Sequence, residues 1–140
     1  MNQGEREKSL TGVWHGTYSY TTYPQMPESH FVATLIDSGT TLSGTIHEVM
    51  NHYRGGFDTV NAIVTGSHDG NAVLFLKSYD GTAGLSHTVH YSGSVSWDRL
   101  EIEGNWHIPS PRGHFRGRFL MIRRRGQTEM PAIEIAEHVQ

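Results

Sequence analysis

The stretch IEGNWHIPSPRGHFRGRF, residues 102–119, contains two predicted β-strands that each have a glycine near the centre. Large apolar side chains lie two positions before and two positions after both Gly104 and Gly117. Because side chains alternate between the two faces of a strand, each glycine shares a face with its large neighbours. Glycine weakens an ordinary strand, so two such glycines in one hairpin require a structural reason.

The same element, in which glycine separates two apolar residues of one face, recurs along the chain. It is centred on Gly16, Gly44, Gly93, Gly104 and Gly117, with a partial copy at Gly66. Small residues that alternate with large ones allow a sheet to taper and bend, as the inside of a narrow closed barrel requires. Bulges in a β-sandwich are the alternative, but they explain one or two glycines better than five of the same parity.

Short runs of alternating apolar and polar residues predict an all-β chain, an eight-stranded antiparallel up-and-down barrel. The predicted strands are 11–20, 30–37, 41–49, 58–67, 71–79, 86–95, 99–107 and 113–124. The tail TEMPAIEIAEHV has apolar residues at helical spacing and predicts a short C-terminal helix over about 128–139. We expect one domain over 1–140, with the barrel at about 10–125.

The connections alternate in length. Long segments follow the first, third, fifth and seventh strands, whereas compact turns such as DSGT and SWDR follow the second and sixth. Alternate connections of an antiparallel meander lie at the same end, so tight turns would close one end and long loops would ring the other. Long loops are the usual carriers of binding function.

The predicted inward face is apolar towards the tight turns and becomes polar and aromatic towards the long loops. An apolar floor below a polar, aromatic mouth is typical of small-molecule pockets. The residues predicted to contact a ligand are Tyr18, Tyr20, Phe31, Glu48, Phe75, Lys77, Tyr79, His87, Tyr91, Trp106 and Phe119.

Three of these residues are also candidates for catalysis. Glu48 and His87 could act as general acid or base, and the hydroxyl of Tyr79 could polarise a carbonyl. A structural role for His87 is the alternative. Glu48 and Lys77 either form a partly buried ion pair or lie near strand ends and reach water, and the sequence leaves both possibilities open.

Composition narrows the function classes. The net charge of -3 and the single short basic run argue against nucleic-acid or membrane partners. The N-terminus MNQGEREKSL is polar, so we expect a cytoplasmic protein. The chain has ten histidines and no cysteine, but neither HEVMNH nor HTVH has metal-ligand spacing, so we expect no metal or cofactor.

The segment Gly12-Val13-Trp14 matches the Gly-x-Trp at the start of the first lipocalin strand, and the chain resembles the calycin superfamily over about residues 10–125. The mid-strand glycines and short hairpins are similar to those of bacterial avidin-like barrels. The resemblance implies an eight-stranded barrel with a ligand in its open end and an arginine, here Arg123, packed over Trp14 at the closed end. The Thr-Asp-Tyr type motif of lipocalins and a biotin-contact set are both missing.

The sequence therefore predicts a barrel that binds a small, partly apolar organic molecule at the long-loop end. The alternative is a cyclase or isomerase that folds a polyene or polyketide-type intermediate in the same cavity, as the resemblance implies for some bacterial relatives. A third possibility is a filled barrel that works through its exterior. The outward histidines His15, His47, His90 and His107 are either solvated surface or a subunit interface, so a homodimer stays open.

Overall fold

The computed structural model describes residues 8–51, 55–109 and 115–124. The strands are β1 Gly12–Tyr20, β2 Ser29–Asp37, β3 Thr41–Asn51, β4 Phe57–Asp69, β5 Ala72–Tyr79, β6 Thr88–Val95, β7 Glu101–Ile108 and β8 Phe115–Ile122. All eight predicted strands are confirmed, with ends that differ by about two residues. The predicted C-terminal helix lies outside the described residues.

The strands form one closed antiparallel barrel in sequence order, because β8 pairs with β1 as well as with β7. Tyr18 faces Phe119 across the β1–β8 seam, so the seam is a regular ladder. The β-sandwich alternative is therefore wrong. Within the described ranges, no helix has the length and hydropathy that a bilayer-spanning segment requires.

The mid-strand glycines make room for aromatic rings on the neighbouring strands. Four glycines have a large aromatic residue as cross-strand partner: Gly16 with Phe31, Gly66 with Phe75, Gly104 with Phe119, and Gly117 with Trp106. A Cβ atom added to Gly16 would overlap the ring of Phe31. A ring lying over glycine protects the exposed backbone and fills the interior, which explains why the glycines alternate with large residues.

One glycine pair also lets two strands approach closely. Gly93 of β6 faces Gly104 of β7, and a Cβ on Gly104 would overlap the carbonyl of Ser92 and the Cα of Gly93. A side chain at this point would push β6 away from β7. The glycines therefore support the narrow radius that the sequence pattern predicts.

The tight-turn end of the barrel is closed by Trp14 and Arg123. Trp14 is fully buried, and the guanidinium carbon of Arg123 lies 4.7 Å from the centre of its ring. Arg123 donates hydrogen bonds to the carbonyls of Arg99, Thr11 and Ser9 at 2.8, 2.9 and 2.6 Å. Burial, followed by the charge of Arg99, lowers the pKa of Arg123 to about 10, so the side chain remains charged at neutral pH.

The segment before β1 completes this closure. Leu10 is fully buried, its carbonyl accepts a hydrogen bond from the indole nitrogen of Trp14 at 2.9 Å, and its N–H donates to Asp37 at 2.9 Å. The base of the barrel is thus a packed apolar core in which Leu35, Leu42, Val64, Val73 and Ile102 are all at most 1% exposed.

Candidate ligand-binding site at the long-loop end

The barrel interior opens at the long-loop end into a cavity of about 410 Å³. Seven of the predicted ligand contacts line it: Tyr18, Tyr20, Lys77, Tyr79, His87, Tyr91 and Trp106. Five further residues complete the lining: Met50, Leu85, Val89, Ile108 and Phe115. Val89, Phe115, Met50 and Ile108 all have the inward parity, but Met50 and Ile108 lie one residue beyond the predicted strands, and Leu85 lies in a loop.

An ion pair between Glu48 of β3 and Lys77 of β5 lies at the floor of the cavity. Lys77 lines the cavity, whereas Glu48, also predicted to contact a ligand, is fully buried and does not line it. Their charged atoms, Oε1 and Nζ, are 2.8 Å apart, and the two side chains are 0% and 1% exposed. The sequence left open whether these charges pair or reach water, and the structure shows a buried pair. An unpaired charge at this depth would carry a large desolvation cost, which the pairing offsets.

Two tyrosines complete the hydrogen bonding of Glu48. The Tyr18 hydroxyl donates to Oε2 at 2.7 Å, and the Tyr79 hydroxyl lies 3.1 and 2.9 Å from Oε1 and Oε2. Burial, with the Glu48 charge as a further cause, raises the pKa of both tyrosines well above the ordinary value. Both hydroxyls therefore stay protonated, as donors to the carboxylate.

The Lys77 ammonium is also enclosed by aromatic rings. Its nitrogen lies 4.8, 4.7 and 5.3 Å from the ring centres of Tyr18, Tyr79 and Tyr91, within the range of cation–π attraction. Burial acts to lower the pKa of Lys77, but Tyr91 and Glu48 outweigh it, and the pKa is raised. A protonated amine is not a nucleophile, so this lysine is suited to holding charge rather than to forming a Schiff base.

Aromatic side chains form one wall of the cavity. The ring of Trp106 packs edge-on against Tyr18 at 5.7 Å and against Tyr20 at 5.0 Å. The Trp106 indole nitrogen donates to the Ser19 carbonyl at 3.1 Å, so the polar atom of the ring is occupied. Trp106 therefore offers a ligand an apolar aromatic surface held in a fixed orientation.

His87 lies at the mouth of the cavity. It precedes β6, which begins at Thr88, so it belongs to the preceding connection and not to a strand as predicted. Its ring centre is 4.7 Å from that of Tyr79. Partial burial, followed by the charge of Lys77, lowers the pKa of His87, which favours the neutral imidazole.

Phe31, Phe75 and Phe119 are buried beneath the cavity and do not line it. Phe75 stacks on Tyr91 with ring centres 4.6 Å apart, and Phe119 packs edge-on against Tyr91 at 5.0 Å. The structure places these three rings in the packed core, and Phe31 lies directly opposite Glu48 on the neighbouring strand. Their contact with a ligand stays a prediction.

Potential metal ligands do not gather in the part of the chain that the structure describes. Three or more His, Asp or Glu side chains nowhere come together there in an arrangement that could hold a metal ion. The outward histidines His90 and His107 are neighbours on β6 and β7, with ring centres 5.1 Å apart, but a third ligand is missing. The described residues therefore give no basis for proposing a metal.

Comparison with solved structures finds a redesigned β-barrel. It superposes with a TM-score of 0.61 at 11% sequence identity, and the match covers 82% of this chain and 91% of that one. No protein-family model and no curated protein matches the chain. At this identity the likeness shows the β-barrel fold and nothing further.

Proposed function

We propose that this protein binds a small, partly apolar organic molecule in the cavity at the long-loop end. The observation that carries the proposal is the cavity of about 410 Å³, bounded by aromatic rings above a buried ion pair. Pockets for small molecules combine apolar walls with a few fixed polar groups in this way. A cavity of this size argues against the filled barrel that works through its exterior.

Apolar contact would supply most of the affinity. A ligand that buries about 200 Å² of its apolar surface gains roughly 5 kcal/mol at ~25 cal/mol per Å², before the entropic cost of binding. The polar floor would then fix the orientation. Because Trp106 is already held by its neighbours and by Ser19, little side-chain ordering opposes binding.

We extend the proposal to a place among the calycins. The support is the Gly12-Val13-Trp14 segment at the start of β1, together with the packing of Arg123 over Trp14 at the closed end. Lipocalins have both features at the same places, the Gly-x-Trp at the start of the first strand and the arginine at the closed end. The proposed family assignment therefore rests on three residues, Gly12, Trp14 and Arg123, and on strand order.

Native mass spectrometry of protein purified from its source cells tests the binding function. We expect a retained small molecule, and we expect Trp106→Leu to lose it because the aromatic wall is removed. Trp97→Leu is the matched control, since Trp97 is 89% exposed at the tight-turn end, away from the cavity. A protein that retains no molecule, or equal retention by the two variants, would contradict the proposal.

A second candidate function is cyclisation or isomerisation of a flexible metabolite in the same cavity. The observation in its favour is His87 at the mouth, whose lowered pKa leaves a neutral imidazole to accept a proton near neutral pH. Glu48 is less suited to this role because two tyrosines and Lys77 already occupy its oxygens. With the retained molecule as substrate, His87→Gln should abolish turnover and keep binding if the protein is an enzyme, and should only weaken binding if it is not.

A further inference from the structure

The two charges at the cavity floor cancel one another. Lys77 lines the cavity, and Glu48 is buried 2.8 Å from its ammonium, so the field of the lysine is largely neutralised by its partner. Attraction to one charge is then offset by repulsion from the other, while the ion still loses its hydration. The cavity therefore disfavours charged ligands of either sign.

The polar groups at the floor differ in how many of their hydrogen atoms are already used in hydrogen bonds. Tyr18 and Tyr79 both donate to Glu48, so their oxygens can only accept further hydrogen bonds. Lys77 has three hydrogens, of which Glu48 accepts one and Tyr91 accepts another, so one remains for a ligand. A ligand group that accepts from Lys77 and donates to a tyrosine oxygen fits this arrangement. A hydroxyl does both, whereas a carboxylate only accepts.

The side walls of the cavity indicate the shape and polarity of the ligand. Trp106 and Tyr20 present ring surfaces on one side, and Met50, Leu85 and Ile108 present apolar groups elsewhere. Flat apolar rings match such a space. Resting on the proposed binding function, we infer that the ligand is a neutral aromatic molecule that enters with a hydroxyl group directed at Lys77.

Three naphthalenes that differ in one substituent test this inference by calorimetric titration at neutral pH. They are 2-naphthol, the anion 2-naphthoate, and 2-methylnaphthalene, which has no polar group. We expect 2-naphthol to bind at least about tenfold more tightly than 2-naphthoate, a difference of ~1.4 kcal/mol. It should also bind more tightly than 2-methylnaphthalene, because only the hydroxyl reaches the polar floor.

The variant Glu48→Gln should reverse the preference. The amide oxygen still accepts from the tyrosines, but the charge of Lys77 is no longer balanced, so 2-naphthoate should become the tighter ligand. Glu101→Gln on the exposed face of β7 changes the net charge equally and should leave the order unchanged. If Glu48→Gln does not fold, the order measured on the natural sequence decides the question by itself.

The possible outcomes separate the two proposals. Binding of 2-naphthoate as tightly as 2-naphthol overturns the inference about the ligand and leaves the binding function standing. Binding of none of the three compounds overturns the inference and counts against the binding function as well. Tighter binding of 2-naphthol, with reversal in Glu48→Gln, supports both.

A second, independent feature lies on the outside of the barrel. The outward side chains of β2, β3, β5 and β6, and those from Thr59 to Ser67 of β4, include no Asp, Glu, Lys or Arg, and their titratable groups are His30, His47 and His90. We name this surface the uncharged face. The outward positions of β7 and β8 instead carry Glu101, Glu103, Arg116 and Arg118. Depletion of charge is the compositional mark of an interface core.

The uncharged face has an apolar centre. Ile63, Leu74 and Leu76 are 56%, 60% and 37% exposed. Leu76 lies opposite Thr65, two residues from Ile63, and Leu74 is two residues from Leu76 on the same strand, so Leu76 links the other two into one patch. Their contiguity distinguishes them from apolar residues scattered singly over a surface.

We propose that a second copy of this chain packs on the uncharged face. An uncharged surface is complementary to itself, because a two-fold axis brings identical patches together without like-charge repulsion. Because the strands of the closed barrel curve away from one another, a partner would contact the part of this face around β4 and β5, where Ile63, Leu74 and Leu76 lie.

Light scattering coupled to size-exclusion chromatography measures the outcome. We expect a particle of two 15.7 kDa chains, and we expect Leu74→Lys to give a single chain because it places a charge at the centre of the contact. Asn105→Lys is the matched control, since Asn105 points outward from the charged strand β7. A natural sequence that is monomeric at micromolar concentration, or a Leu74→Lys variant that stays dimeric, overturns the proposal.

Discussion

Breaking the ion pair at the cavity floor should destabilise the barrel more than any other single change among its polar residues. Lys77→Met removes the cation 2.8 Å from Glu48 and leaves a buried carboxylate with only tyrosine hydroxyls as donors. Loss of one partner from a buried pair costs about 3–5 kcal/mol. Against a total stability of about 5–15 kcal/mol, that is a large fraction.

The double variant Glu48→Gln with Lys77→Met distinguishes the stability lost with the ion pair from the stability lost by changing the packing. The glutamine oxygen keeps accepting from Tyr18 and Tyr79, and methionine replaces the aliphatic stem of lysine, so no charge is buried. The double variant should therefore be more stable than the sum of the two single changes predicts. We expect a coupling free energy of at least about 2 kcal/mol between the two positions.

Urea unfolding followed by far-ultraviolet circular dichroism measures these differences. Thermal melting should show Lys77→Met falling by roughly 10 °C or more, with the double variant recovering part of the loss. The reasoning is refuted if the two single effects add to within about 0.5 kcal/mol, because additivity is the behaviour of groups that do not interact.

Three further changes test other parts of the structure. Gly104→Val should unfold the barrel or destabilise it by about 3 kcal/mol or more, because the valine side chain would overlap Ser92 and Gly93. The control Thr45→Val, at an outward position, should leave the urea denaturation midpoint nearly unchanged. Arg123→Met should cost about 2–4 kcal/mol through three lost hydrogen bonds, and an unchanged denaturation midpoint would contradict the closure described at the tight-turn end. The pKa of His87, measured by proton NMR, should lie below its ordinary value of 6.5. Because the unfolded chain binds that proton more readily, this residue lowers the stability of the fold as pH falls through 6.5 towards the folded pKa. A measured pKa at or above 6.5 would be inconsistent with burial beside Lys77.

The fold was predictable because its signal is repeated in every strand. Alternation placed the inward and outward faces, and five glycines of one parity distinguished a narrow barrel from a sandwich. Each of these is a local property of the chain. The closed ladder between β8 and β1 follows once all eight strands curl in the same sense.

The ends of the barrel were harder to predict because they depend on contacts that no periodicity records. Leu10 lies in a polar N-terminal segment, yet it is fully buried and bonded to Trp14. Leu85 lines the cavity from a loop, and Ile108, which continues the inward alternation, lies one residue beyond the predicted end of its strand. His87 was placed on a strand, but it belongs to a connection, where the alternation rule does not apply.

The depth of the cavity depends on strand register. The register determines which aromatic ring lies opposite each mid-strand glycine and fills the space there. Phe31, Phe75 and Phe119 each lie across from a glycine and fill the space there, so the interior is solid below Lys77. A ligand that enters from the long-loop end must therefore stop at the layer of Lys77 and its tyrosines. The expected apolar floor is present as the packed base of the barrel, and the Lys77 layer lies between it and the cavity. It follows that recognition of polar groups falls at the deepest point of the proposed site, where water is excluded and a mismatched group has no alternative partner.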